Sequence, residues 1–210
     1  MAVLSSRELP VTKRYEDVML RNVNDTCVEF WNLYINFDDL NESSYEMLTG
    51  LVNSKNLRSS ELYKNASKGH EGTIMVTEER SLKTLDQLNK SILKNSESLC
   101  HVVEVKFPHL ISKFERLVEK IKKININHYM ENMLESDRLL LSHKINEAKT
   151  VFPIFLQCIK DELSFKTTAL KDIAYTSDHT NDISIGLLAA WKHYVFIDYS
   201  LINRLYSIAI

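Results

Sequence analysis

The sequence predicts an all-α fold: an elongated antiparallel helical bundle or coiled coil with a short C-terminal helix. Three observations carry that expectation. Apolar residues recur at Leu20, Val23, Cys27, Phe30, Tyr34 and Phe37, spaced 3, 4, 3, 4 and 3, which is the heptad rhythm of one helix face. Only 4 glycines and 3 prolines occur in 210 residues, too few to turn many short strands. A hydrophobic fraction of 44% beside 26% charged residues is an ordinary soluble composition that sustains a core.

Residues 1–13 read as a flexible polar arm. A first long helix is expected over 14–53, its seam widened by Trp31 and Leu40 and continued by Tyr45, Leu48, Leu51 and Val52. At ~1.5 Å per residue it would exceed ~50 Å. Polar Asn41 and Ser44 interrupt the seam, either fixing register or marking a kink. Residues 54–77 hold two of the four glycines among many Ser, Asn and Lys, with no apolar period, and read as a linker.

A second helical segment over 78–126 places Leu82, Leu85, Ile92, Leu99 and Val103 on one stripe, with Asn89 and Ser96 at two further seam positions. Beyond Pro108 the stripe resumes at Leu110, Phe114, Leu117, Ile121 and Ile124, one residue out of register, so a kink is expected near 108. Residues 124–138 look like a second connection. Within 127–198 a third long helix is expected over 139–175, burying Val151, Phe155, Ile159, Leu163, Leu170 and Ile173, with Pro153 at a boundary or a bend. A stop at 176–182 offers Asp182 as N-cap of the C-terminal helix, on which Leu187, Leu188, Trp191 and Val195 share a face. Residues 199–210 form an apolar tail that either packs back onto the body or fits a partner's groove.

A formal net charge of −2 gives no global field for nucleic acid or an anionic membrane. Cys27, Cys100 and Cys158 are odd in number, far apart and without a C-x-x-C, which suggests neither a disulfide framework nor a zinc module. The N-terminus lacks the apolar stretch of a signal peptide, and no charge-free run approaches the ~18 residues that span a bilayer. A soluble intracellular protein is expected.

Chemistry-bearing motifs are sparse. His101 and His109 lie eight apart and the other histidines are scattered, without metal-ligand spacing; no cofactor is expected. No nucleophile elbow, phosphate loop or dinucleotide fingerprint occurs, so an enzyme is not expected. The basic run at 113–123 interleaves Lys113, Arg116, Lys120, Lys122 and Lys123 with Glu115 and Glu119, as a solvated helix face does. Arg7, Leu9 and Val11 fit the short R-x-L-x-hydrophobic pattern by which extended peptides dock on cyclins. Trp31 and Trp191 are the only tryptophans, and each is either core or an interface anchor.

Two blocks carry a family likeness. In residues 22–53 it rests on Asp25, Trp31, Leu33 and the Leu40-Asn41 pair; in residues 158–198 on Glu162-Leu163, Lys166, Ala174-Tyr175-Thr176, Asp178, Leu187 and Trp191. Together they resemble the cyclin-dependent kinase 2-interacting protein (CINP) family over about a third of the chain. Tyr175 stands where that family has His, and HYVF at 193–196 replaces its Gln-Pro. The resemblance implies a nuclear adaptor without enzymatic activity. Implied partners are cyclin-dependent kinase 2 complexes, the cell-division-cycle 7 kinase, the ATR-interacting subunit, and AAA ATPases with a small helical co-subunit. Implied roles lie in DNA replication, DNA damage signalling, the cell cycle and division, replisome proteostasis and large ribosomal subunit maturation. Nucleic acid is implied only indirectly. The partner-binding residues expected on this reading are Trp31, Tyr34, Leu163, Lys166, Tyr175, Thr176, Asp178, Leu187 and Trp191. No Ser or Thr precedes Pro10, Pro108 or Pro153, so no minimal proline-directed phosphosite exists. The alternative is a coiled-coil subunit of a tethering or cytoskeletal complex.

Overall fold

A computed structural model describes the backbone of residues 11–67, 75–125, 135–175 and 181–210, and side chains within 18–64, 80–125, 135–173 and 183–210. Among the described residues the fold is all-α. Its elements are α1 (Val11–Ser67), α2 (Met75–His101), a π turn (Val102–Lys106), α3 (Phe107–Lys122), α4 (Glu135–Tyr175), α5 (Asn181–His193) and α6 (Tyr199–Ala209).

Helix α1 differs from its expected bounds at both ends. It starts inside the predicted arm, and it runs 14 residues past 53 into the predicted linker, whose part within 54–67 is helical. Serine and asparagine cost only a few tenths of a kcal/mol each in a helix, and a polar helix persists where its polar groups are satisfied. Here the Ser54 and Ser91 hydroxyls lie 3.0 Å apart, and Ser59 Oγ donates to the Lys55 carbonyl at 3.0 Å. Gly50 lets α2 come close: a Cβ there would meet Asn95 Nδ2 at 3.1 Å.

The expected interruption near Pro108 takes the form of the π turn. The Phe107 N–H donates to the Val102 carbonyl, five residues back instead of four. One extra residue per turn slips the apolar stripe by one, and the wider turn relieves the proline ring's clash with the carbonyl four residues before it. Pro153, by contrast, lies inside an uninterrupted α4 that begins at Glu135, four residues before the expected start.

Two expectations near the C-terminus are corrected. Helix α5 ends at His193, so Val195 does not share its face; Tyr194 takes the left-handed conformation (φ 51°) and Val195 is exposed. Residues 199–210 are not a tail. They form α6, whose Leu201, Leu205 and Ile208 are buried at helical spacing. Asp198 caps it, accepting from the Ser200 N–H at 3.2 Å and from the Ser200 hydroxyl.

The chain divides into two compact units. The first combines described residues up to 35, 111–158 and 198–210; its centre is aromatic. Phe30 stacks on Phe152 at 3.7 Å between ring centroids and meets Phe114 edge-on at 4.8 Å, with Phe155 beside both. Lys149 Nζ donates to the Ile124 carbonyl at 2.7 Å, satisfying an acceptor just past the end of α3. The second unit comprises 36–110 and 159–197. Leu48, Leu51 and Val52 of α1, Leu99 and Val103, Ala169, Leu170 and Ile173 of α4, and Trp191 of α5 form its core. The α2 stripe fades toward its N-terminus: Leu99 is buried, Leu85 and Ile92 are half-buried, and Leu82 is exposed.

Candidate functional site

In the second unit, several residues of the C-terminal likeness converge on one buried knot. Glu162 and Lys166, one turn apart on α4, both have 0% exposure, with Lys166 Nζ 3.6 Å from Glu162 Oε2. Lys166 Nζ donates to the Trp191 carbonyl at 3.1 Å and lies 4.8 Å from the Trp191 ring and 5.6 Å from the Tyr194 ring. Glu162 Oε1 accepts from the Phe196 N–H at 2.6 Å. Burial lowers the Lys166 amine to about 8, with Glu162 acting in the opposite sense.

This knot is a fastening. It holds the end of α5 and the reversal that follows, where a non-glycine residue occupies left-handed backbone. Tyr194 is pinned further by its hydroxyl, which donates to Asp38 Oδ1 at 2.6 Å. Trp191 Nε1–H donates to Ser44 Oγ at 2.9 Å, and Ser44 in turn donates to the Asn41 carbonyl. Ser44 therefore interrupts the α1 seam in order to receive the indole, and α1 continues through it as a helix.

Trp191 is thus a core residue, and neither it nor Lys166 offers a side chain to a partner in this conformation. Leu163 and Leu187 are half-buried against the same core. Trp31 and Tyr34 belong to the first unit. Tyr34 is buried with its ring 5.6 Å from Phe155, whereas Trp31 is half-buried between Tyr34 and Tyr206 at 5.1 and 5.2 Å. Arg7, Leu9, Thr176 and Asp178 lie outside the described residues, as do the side chains of Val11, Tyr175 and Asp182.

The first unit contains an open site. A cavity of about 540 Å³, mostly apolar, is lined by Leu20 of α1, Leu140 and Leu141 of α4, and Ile208 of α6. Leu140 is 69% exposed at its mouth. Arg204 of α6 is clasped to Glu147 of α4, Nη2 at 2.7 Å and Nε at 2.8 Å from the same carboxylate oxygen, which fixes one wall. Asp137 and Lys144 of α4 also line the cavity, and among the described residues neither has an ion-pair partner. In the same unit, burial raises the Cys27 thiol to about 11, with the Lys144 charge acting in the opposite sense.

A groove of this size, apolar with a few polar groups, suits ligand or helix binding. None of its residues was predicted as a site. The available signal was the run Leu139-Leu140-Leu141, because three consecutive apolar residues span more of a helix than a single buried seam.

Among the described residues no three His, Cys, Asp or Glu side chains are placed to hold a metal, and no helix is long and apolar enough to cross a membrane. No family model and no curated protein matches the chain.

Proposed function

We propose that this protein is a non-enzymatic nuclear adaptor of the CINP type, and that its docking site is the groove of the first unit. The carrying observation is the groove itself: an apolar cavity walled by three helices, with Leu140 69% exposed at the mouth. An exposed aliphatic side chain over an apolar furrow is a surface that a partner completes. The two sequence blocks supply the rest of the reading. On it, the chain links cyclin-dependent kinase 2 complexes, the cell-division-cycle 7 kinase and the ATR-interacting subunit. It also acts as a subunit of an AAA-ATPase complex with a small helical co-subunit, in replisome proteostasis and large ribosomal subunit maturation. The expected antiparallel bundle arrangement belongs to the same proposal. Trp191 and Lys166 then act by shaping the residues around α5.

The test is affinity purification with mass spectrometry from nuclear extract, comparing the native chain with Leu140→Asp. Kinase, checkpoint or AAA-ATPase subunits captured by the first and lost by the second, with the variant still folded, is the expected outcome. A nuclear-excluded chain, or capture indifferent to Leu140, refutes the proposal.

A second reading, a tethering or cytoskeletal coiled-coil subunit, draws on the thin seam between α1 and α2. There Leu57 and Leu62 of α1 and Leu82 and Leu93 of α2 are exposed, and the Ser54 and Ser91 hydroxyls meet at 3.0 Å. Steady membrane or centromere localisation of a tagged chain would favour it.

A further inference from the structure

We infer that the groove of the first unit takes one amphipathic helix of a partner protein, bearing an acidic and a basic side chain two turns apart on the edge of its apolar face. This rests on the docking role proposed above and specifies the occupant.

Charge placement carries the inference. Asp137 and Lys144 both line the groove and are seven residues apart on α4, two turns, so they lie on one face about 10.5 Å apart along the axis. They have opposite signs; Asp137 Oδ1 accepts only from the neighbouring Ser136 hydroxyl at 3.4 Å, and among the described residues neither charge has an ion-pair partner. Between them stand Leu140 and Leu141, apolar and lining the same cavity. Glu147 and Arg204, a further acid and base at the site, neutralise each other across α4 and α6, and His143 of α4 is the other titratable side chain lining it. The unmatched pattern is therefore negative, apolar, positive, at helical pitch.

A helix docked along α4 with a basic residue opposite Asp137 and an acidic residue opposite Lys144 would match that pattern, because charges two turns apart on it have the same spacing. Its aliphatic anchors, three and four residues apart between those charges, would enter the cavity against Leu20 and Ile208. Its other face would stay in water, while Leu140, exposed at the mouth, would be covered. Opposite charges at the rim fix orientation and partner choice more than they add affinity.

The experiment uses the full chain and three fluorescein-labelled synthetic helical peptides with the same leucine anchors: one with Glu and Lys two turns apart, one with both positions Lys, one with both Glu. Fluorescence anisotropy at low salt reads the affinities. The mixed peptide should bind roughly tenfold more tightly than either like-charged one, and the preference should shrink at high salt.

The chain carrying Lys144→Glu should shift its preference to the doubly basic peptide, while Asp137→Lys should favour the doubly acidic one. Equal binding of all three peptides, or unchanged preference in both variants, overturns the inference. If no peptide binds while Leu140→Asp still strips partners in nuclear extract, the docking role stands and this occupant is wrong. If sodium dodecanoate binds and the peptides do not, the site takes an aliphatic anion and the inference falls.

Discussion

The buried Lys166 amine gives the sharpest stability prediction. Its folded value is about 8 against 10.5 for the free side chain, the drop arising first from burial. The folded state therefore disfavours the charged form, and between those two values the unfolded chain holds more protons than the native one. Stability then rises with pH, from a full penalty below about 8 to its removal near 10.5. Over the whole window the drop from 10.5 to about 8 corresponds to about 3 kcal/mol, of which about 1 kcal/mol is recovered between pH 7 and pH 9. The Cys27 thiol acts oppositely. Raised from 9.0 to about 11, it favours the native state at low pH and loses that contribution as pH climbs through this range. Urea unfolding at constant ionic strength, in a Cys27→Ala background, isolates the lysine. The midpoint should rise from pH 7 to pH 9, and the rise should vanish in the Glu162→Gln, Lys166→Met double variant, which removes both buried charges while keeping an acceptor for the Phe196 N–H. A flat midpoint in the native pair, or a rise that survives in the double variant, refutes the assignment of the knot.

Ser44→Ala leaves the buried Trp191 N–H without its acceptor and should cost about 1–3 kcal/mol, read as a lower urea midpoint with unchanged helicity. Trp191→Ala should cost about 3–5 kcal/mol through the cavity it leaves, and should lower partner capture only in proportion to lost folding. Asp198→Ala should speed amide exchange in the first turn of α6. Because the Ser200 hydroxyl and N–H hold the Asp198 carboxyl below its usual range, that difference should be present above the free carboxylate range and disappear as acid protonates it.

The helical seams are legible in the sequence because a period survives wherever one face is buried. Phe30, Phe37, Phe114 and Phe155 sit at predicted positions and all are buried. The one-residue slip beside Pro108 is legible too, and the π turn is its structural form. The end of α1 is not, since Ser54 and Ser59 carry no apolar period and are satisfied by hydroxyl bonds that only tertiary placement reveals. Helix α6 shows Leu201, Leu205 and Ile208 at spacings of four and three, but two turns of pattern do not separate a tail from a docked helix. Glu162 and Lys166 illustrate a deeper ambiguity. An acid and a base four residues apart look like a solvated pair, and their burial depends on Trp191 and Tyr194 arriving from another segment. The groove draws on α1, α4 and α6, segments more than fifty residues apart, so no local pattern announces it.

The most direct measurement of the central claim is amide hydrogen exchange of the full chain, alone and within the complex it forms in nuclear extract. Partner binding at the groove predicts slowed exchange at 137–147 and 199–210, with the α5 segment around Trp191 unchanged. Protection confined to other segments, with 137–147 exchanging as fast in the complex as in the free chain, would contradict it.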